Sequence, residues 1–255
     1  MRVVKIGGRA QSDARLATSI RAAWSASPGD LCLVHGGGDE VSAMQRALGR
    51  EAAFVGGRRV TSEGDLDLLR MMLSGIVNKR LVNSLIAVGV PALGLSGEDG
   101  ALIRAEVIDA VSLGFAGRPV AINVPLLETL TAAKYLPVIS PVGYNSSSGF
   151  GGSLNVNGDD AAAAIAAAVG AEELLLVADV EGVHDENGGI VSSLNAESAA
   201  ELIAKGTANG GMAAKLESAL TAVSSGVARV RISDLAALSD DDRGTYITAS
   251  QSVAI

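Results

Sequence analysis

Two short apolar runs, each ending in glycines, constrain this 255-residue chain more than any other feature. Val3-Val4-Lys5-Ile6 runs into Gly7-Gly8, and Leu31-Cys32-Leu33-Val34 runs into His35-Gly36-Gly37-Gly38. A helical pattern follows each: Leu16, Ile20, Ala23 and Trp24 share one face, and Val41 to Leu48 forms a second helix. Buried strands that alternate with helices require crossover connections, so the expected fold class is α/β, with an open, mainly parallel sheet sandwiched between helices.

The remaining chain continues this alternation. Asp65 to Val88 reads as one long or two consecutive helices, with Gly75 as a candidate break. Strands are expected at Pro91–Leu95, Leu136–Ile139, Leu174–Ala178 and Val227–Ile232, with hairpins across 101–123 and a last edge strand at Gly244–Ile247. Helices are expected at Leu126–Ala133, Ala196–Ala204 and Met212–Ser224, and Asp159-Asp160 opens another that is rich in alanine. The polar stretch from Asn145 to Gly152 is either a hairpin tip or a lobe junction. One domain over 1–255 is expected, with an N-terminal lobe near 1–170 and a C-terminal lobe near 171–255.

Charge and composition exclude several classes of function. The net charge is −8, and no dense run of Lys and Arg offsets it, against the basic stripe that phosphate backbones require. No nucleic-acid partner is therefore expected. The longest apolar stretch, Ala161 to Val169, is far short of the roughly 20 residues of a membrane span, and no membrane partner is expected. Strand residues begin almost at Met1, so no signal peptide is expected, and the lone Cys32 sits in an apolar run. A reducing, cytoplasmic setting follows as the expectation. Aromatic residues make up 3% of the chain, so Ala, Val, Leu and Ile must build the core.

Four features lie where strands give way to turns or helices, the place where open α/β sheets bind ligands. Lys5 before Gly7-Gly8 is either a strand-end lysine beside a turn or a cation facing an anion. His35-Gly36-Gly37-Gly38 is either a connector or a row of N–H groups at a helix N-terminus, suited to phosphate or carboxylate. His35 itself reads as structural, since no Ser-His-Asp set can be completed around it. Asn155, Asn157 and Asp159 point the same way if the stretch is extended; the alternative is a helix cap with turn-forming neighbours. Lys215, after Asn209-Gly210-Gly211, is either solvated or aimed at its helix N-terminus. The chain has five lysines, and two of them sit beside glycine-rich turns. Two cations, anion cradles and one polar carboxylate suit phosphoryl transfer, which needs positioning and charge neutralisation more than a general base.

These motifs, in this order, resemble the amino acid kinase family across essentially the whole chain. Beside the four features, the resemblance rests on Gly57-Arg58-Arg59-Val60-Thr61, Val77-Asn78-Lys79, Gly94-Leu95-Ser96-Gly97-Glu98-Asp99-Gly100 and Asp179-Val180-Glu181-Gly182-Val183. It implies ATP-dependent phosphorylation of the side-chain carboxylate of N-acetyl-L-glutamate, in arginine biosynthesis. By similarity, Lys5 and Lys215 stabilise the migrating phosphoryl group and Asp159 holds both lysines. Gly37, Gly38, Arg59 and Asn155 would bind the acyl amino acid, with Arg59 clamping its α-carboxylate. Gly8 and Gly36 would approach the phosphates. Asp179, Val180, Glu181, Gly182, Val183 and His184, with Thr207, Ala208 and Asn209, resemble the ATP-binding loops. ATP and Mg²⁺, the ion riding on the phosphates, are the implied cofactors, and a homodimer without arginine feedback is the implied assembly. Two departures stand out: the family usually has Gly-Leu-Arg where this chain has Gly57-Arg58-Arg59, and Gly158 replaces a more usual Ala. A carrier-bound acceptor, an N-succinyl acceptor and a non-catalytic nucleotide sensor are the alternative readings on the same fold.

Overall fold

The computed structural model describes residues 1–147 and 152–249. The two opening strand–glycine–helix units are β1 (Arg2–Ile6) with α1 (Leu16–Ala26), and β2 (Leu31–His35) with α2 (Gly38–Ala47). A small antiparallel hairpin of β3 (Phe54–Val55) and β4 (Arg58–Arg59) leads into α3 (Glu63–Leu69). The helical path continues through a π-helical stretch, Arg70–Val77, into α4 (Asn78–Ala87). Gly75 therefore does not break the run as the sequence suggested. The helix absorbs it by widening, a distortion commonly found beside functional sites.

The middle of the chain supplies β5 (Ala92–Gly97), β6 (Ile103–Val107), β7 (Ala116–Ile122), α5 (Val124–Ala132), β8 (Leu136–Asn145) and β9 (Ser153–Val156). The last third supplies α6 (Gly158–Ala168), β10 (Glu173–Val177), β11 (Ser193–Leu194), α7 (Ala196–Ala204), α8 (Gly210–Ser224), β12 (Val230–Ser233) and β13 (Thr245–Ile247). Eleven of these strands form one sheet, in the order β11-β13-β12-β10-β1-β2-β8-β6-β7-β9, with β5 also on β8. Its ladders are parallel except β12–β13, β6–β7 and β8–β9. The expected class, an open and mainly parallel α/β sheet between helices, is the observed one.

Two further expectations are corrected. Thr245–Ile247 is not the edge: it pairs with β12 on one side and β11 on the other, because the two-residue β11 supplies hydrogen bonds the sequence pattern did not advertise. Asn155, Asn157 and Asp159 do not share one extended stretch. Asn155 belongs to β9, Asn157 caps α6 by accepting from the N–H groups of Asp159 and Asp160, and Asp159 lies in the first helical turn. Residues 148–151 of the polar stretch lie outside the described residues; its flanks, β8 and β9, are antiparallel neighbours.

Alternation along the strands divides the core into two layers. Val3, Val34, Leu174 and Leu176 face α6 and α8, whereas Val4, Leu33, Leu175 and Val177 face α1 and α4. The buried face of α6 is Ala161, Ala162, Ala163, Ile165 and Ala166, short side chains that let the helix approach the sheet closely. The register Ile6↔Val177 and Ile6↔His35 brings the ends of β10, β1 and β2 level. Lys5, the glycines after β1 and β2, and Asp179 consequently meet at the carboxyl edge of the sheet. The opposite edge is closed by a buried ion cluster. Arg231 Nε donates to Glu173 Oε1 at 2.7 Å, while its other nitrogens donate to the carbonyls of Ala237, Asp240, Asp241 and Arg243.

Candidate active site

Three buried charges from three elements meet at the carboxyl edge. Lys5 at the end of β1 lies 2.9 Å from Asp159 Oδ1, and Lys215 on α8 lies 3.0 Å from Oδ1 and 3.2 Å from Oδ2. Burial alone would raise the Asp159 carboxyl, but the two lysine charges and their hydrogen bonds outweigh it and hold the group well below the usual carboxylate range. Burial, reinforced by repulsion from Lys5, pushes the Lys215 ammonium down to about 8. Two cations against one anion leave this buried cluster with an excess positive charge. It forms the floor of a cavity of about 350 Å³ that Gly8, Asp179 and Val180 also line. A phosphate placed there would supply the missing negative charge.

A second, smaller cavity of about 140 Å³ adjoins the cluster on the β2 side, lined by Gly36, Gly37, Gly38, Arg59, Asn155 and Gly158 among others. The α2 N-terminus faces it. A side chain at Gly8 would begin 4.0 Å from the backbone nitrogens of Gly37 and Gly38 and 4.0 Å from Asp39 Oδ2, so the α2 N-terminus lies close to the β1 glycine turn. Gly37 has φ of 154°, which favours glycine, and a Cβ there would meet Leu73 Cδ2 at 2.7 Å and have to push that side chain aside. The N–H of Gly36 is taken by the Ile6 carbonyl at 3.0 Å; what Gly36 contributes is open space 4.0 Å from Lys5 Nζ.

The paired arginines of the hairpin diverge. Arg59 is buried beneath Phe54, 4.7 Å from the ring centroid, and donates to Gln45 Oε1 at 2.5 Å, Ser42 Oγ at 2.8 Å and the Gly38 carbonyl at 2.9 Å. Arg58 instead reaches Asp160 Oδ2 at 2.8 Å. Asn155 Nδ2 donates to Thr61 Oγ1 at 2.9 Å, which ties β9 to the segment behind the hairpin.

His35 is structural in the observed geometry. Its Nδ1 lies 2.8 Å from the Gly36 carbonyl, which can only accept, so that nitrogen carries the proton and Nε2 accepts from Asn78 at 3.0 Å. Burial pushes its pKa down to about 4, and the ring stays neutral.

On the nucleotide side the sequence expectations separate. Asp179 and Val180 line the larger cavity, and Asp179 accepts from Arg9 at 2.5 Å. Val183 and Ala208 are buried in the core, and Gly182 packs against Ile190 and Thr245. Glu181 pairs with Arg243 at 2.6 Å, and His184 lies 3.0 Å from the Gly188 carbonyl. Thr207 and Asn209 immediately precede α8, and Asn209 takes its N-cap position.

The sequence pattern of the amino acid kinase family matches residues 1–234. This chain belongs to that family. Acetylglutamate kinase of Roseiflexus castenholzii is 41% identical over 253 residues, covering 98% of this chain and 95% of that protein. Acetylglutamate kinase of Methanopyrus kandleri is 41% identical over 260 residues, covering 97% of this chain and all of that protein. Among solved structures, smu.665 of Streptococcus mutans superposes with a TM-score of 0.86 at 29% identity, covering 97% of this chain and 98% of that one.

Several residues that shape this candidate site were not singled out by sequence. Gln45 and Ser42, which orient Arg59, lie on a helix face that looks like any other. Asp160 binds both Arg58 and Ser218, whose Oγ donates to it at 2.6 Å, and its position beside Asp159 was the available signal. Arg9 bridges toward Asp179 and Asp39 at the cavity mouth, with nothing in its local sequence to single it out.

Proposed function

We propose that this chain transfers the γ-phosphoryl group of ATP to the side-chain carboxylate of N-acetyl-L-glutamate, giving an acyl phosphate and ADP, a step of arginine biosynthesis. The observation that carries this reading is the Lys5–Asp159–Lys215 cluster, set where the glycine-lined cavity meets the larger one. The acyl amino acid occupies the smaller cavity, with Arg59 facing its α-carboxylate and Gly37, Gly38 and Asn155 offering hydrogen bonds. The triphosphate enters the larger cavity past Gly8, where Asp179 and Val180 line its path, and the loops carrying Glu181, His184, Thr207 and Asn209 lie on the nucleotide side. The chain then works as an acceptor lobe over roughly 1–170 and a nucleotide lobe over 171–255. The cationic, N–H-rich floor fits a triphosphate, and Mg²⁺ carried on its oxygens supplies further charge neutralisation.

No catalytic base is needed. A glutamate side chain has a reference pKa of about 4.3 and is already ionised at neutral pH. One of its oxygens attacks phosphorus in line; the new P–O bond forms as the bond to the β-phosphate oxygen breaks, and ADP leaves with that electron pair. No proton moves. The barrier is the approach of one anion to another, and Lys5 and Lys215 reduce it by meeting the charge on the migrating group. Asp159 is a positioning residue that keeps both ammonium groups aimed there. Repulsion between the two lysines would otherwise drive them apart.

The working assembly is a homodimer in the cytoplasm. Met71, Ile76 and Ile86 are each more than half exposed along one helical run and offer apolar surface for a second copy. No helix among the described residues is long and apolar enough to cross a membrane.

The test is hydroxylamine trapping of the acyl phosphate from N-acetyl-L-glutamate and MgATP. Wild-type protein is expected to give acyl hydroxamate, and Lys215→Ala to lose the signal by about a thousandfold, the scale of losing one transition-state donor. Folded wild-type protein that yields no hydroxamate would overturn the reading.

A further inference from the structure

The smaller cavity shares a wall with a third one, and that wall is Arg58. The third cavity, about 350 Å³, lies between β7, α6 and α8 and is lined by Arg58, Arg118, Asp160, Ala163, Ala167 and Thr221 among others. The two adjoin along the same elements: Gly117 and Gly158 face the acceptor cavity, while Arg118 and Asp160, the next residue on β7 and the second next on α6, face its neighbour. An acyl group larger than acetyl that extends this way from the acceptor cavity must pass the Arg58 guanidinium.

Arg58 is held like a recognition group. Its Nη2 donates to Asp160 Oδ2 at 2.8 Å, and Asp160 Oδ1 accepts from Ser218 Oγ at 2.6 Å, so the hairpin, α6 and α8 are tied through one carboxylate. The preceding Gly57, at φ of 73°, seats the hairpin on α8: a Cβ there would lie 3.1 Å from Ala214 Cβ. Yet Arg58 Nε–H is buried and has no hydrogen-bond partner. Nε is shut off from solvent, but about a third of the Arg58 side chain is exposed, and that part of the guanidinium suits a carboxylate. Arg118, the second cation of the wall, holds a loose contact of 3.4 Å with Glu106.

We propose that Arg58 is a specificity-determining residue that reads a carboxylate on the acyl substituent of the acceptor, so that a dicarboxylic acyl group such as succinyl is accepted beside acetyl. Arg59 faces the α-carboxylate, and its neighbour faces the far end of the acyl chain. This inference rests on the kinase reading above, and its test separates the two.

The experiment compares kcat/KM for N-succinyl-L-glutamate and N-acetyl-L-glutamate by hydroxamate formation in wild type, Arg58→Leu and Asp160→Asn. Wild type is expected to use the succinyl compound within about tenfold of the acetyl compound. Arg58→Leu is expected to lower the succinyl-to-acetyl ratio by about tenfold or more, the usual scale of a charge-assisted hydrogen bond. Asp160→Asn, which removes the competing carboxylate, is expected to raise that ratio. A purely structural role for Arg58 would depress both substrates together and leave the ratio unmoved. A wild type active on the acetyl compound alone, or a ratio within twofold of wild type in Arg58→Leu, overturns this inference and leaves the kinase reading standing. Wild type inactive on both overturns both.

Discussion

Lys215 carries the clearest residue-level consequence. Its ammonium has an ordinary value of 10.5 and is pushed down to about 8, first by burial and then by Lys5. Transition-state stabilisation requires the charged form. The kcat/KM profile, which reports the free enzyme, should therefore fall as pH rises through about 8. A profile flat to well above that pH would contradict this role. Stability moves the other way. Between about 8 and 10.5 the unfolded chain binds more protons at this residue than the folded one, so Lys215's contribution to stability rises with pH while activity is lost. Asp159 has linkage of the same sign, in the acid range. Its lowered folded value means that its stabilising contribution is present above the ordinary carboxylate range and is lost on acidification.

At the scale of elements, the turn between β2 and α2 depends on the helical run across from it. Leu73, within the π-helical stretch, closes against the site where a Gly37 side chain would begin. Gly37→Ala must displace either Leu73 or the loop that presents the Gly37 and Gly38 N–H groups. A shift of this kind at a positioning element costs about a hundredfold in rate. Gly37→Ala is accordingly expected to lose about that much kcat/KM for the acyl amino acid while retaining a cooperative unfolding transition. Near-wild-type kcat/KM would show that the N–H groups are not the acceptor's anchor.

Over the whole molecule, the two buried charge clusters, Glu173–Arg231 and Lys5–Asp159–Lys215, lie at opposite edges of the sheet. Glu173 at the start of β10 faces Arg231 and Arg2, and both Glu173 and Arg231 are essentially inaccessible to water. Removing the buried carboxylate would leave Arg231 with only the exposed Asp241, 3.4 Å away, as counter-charge. Glu173→Ala should cost about 3–5 kcal/mol in denaturant unfolding, the range for breaking a buried pair. Its kcat per folded molecule should match wild type, since the Lys5–Asp159–Lys215 cluster lies at the opposite edge of the sheet. A large loss of kcat with stability unchanged would show that the two edges are coupled.

How much of this was legible beforehand differs by residue. Lys5, Gly37, Gly38 and Lys215 stand beside glycine-rich turns, and local sequence pointed to them because strand ends, helix starts and small residues are short-range features. The strand–helix alternation and the alanine-built core followed from the same local periodicities. The order β10-β1-β2-β8 did not, because neighbours in a parallel sheet are set by crossovers that span tens of residues. Only the packed sheet carries Asp159 and Lys215, 56 positions apart in the chain, to one point beside Lys5. The separate fates of Arg58 and Arg59 were likewise decided by tertiary contacts, since adjacent residues on a strand point to opposite sides and what each side meets is fixed by distant elements. Sequence determined which chemical groups this chain could use. Packing determined that they share one excess positive charge, because burial turns a modest Coulomb interaction into a demand for an anion.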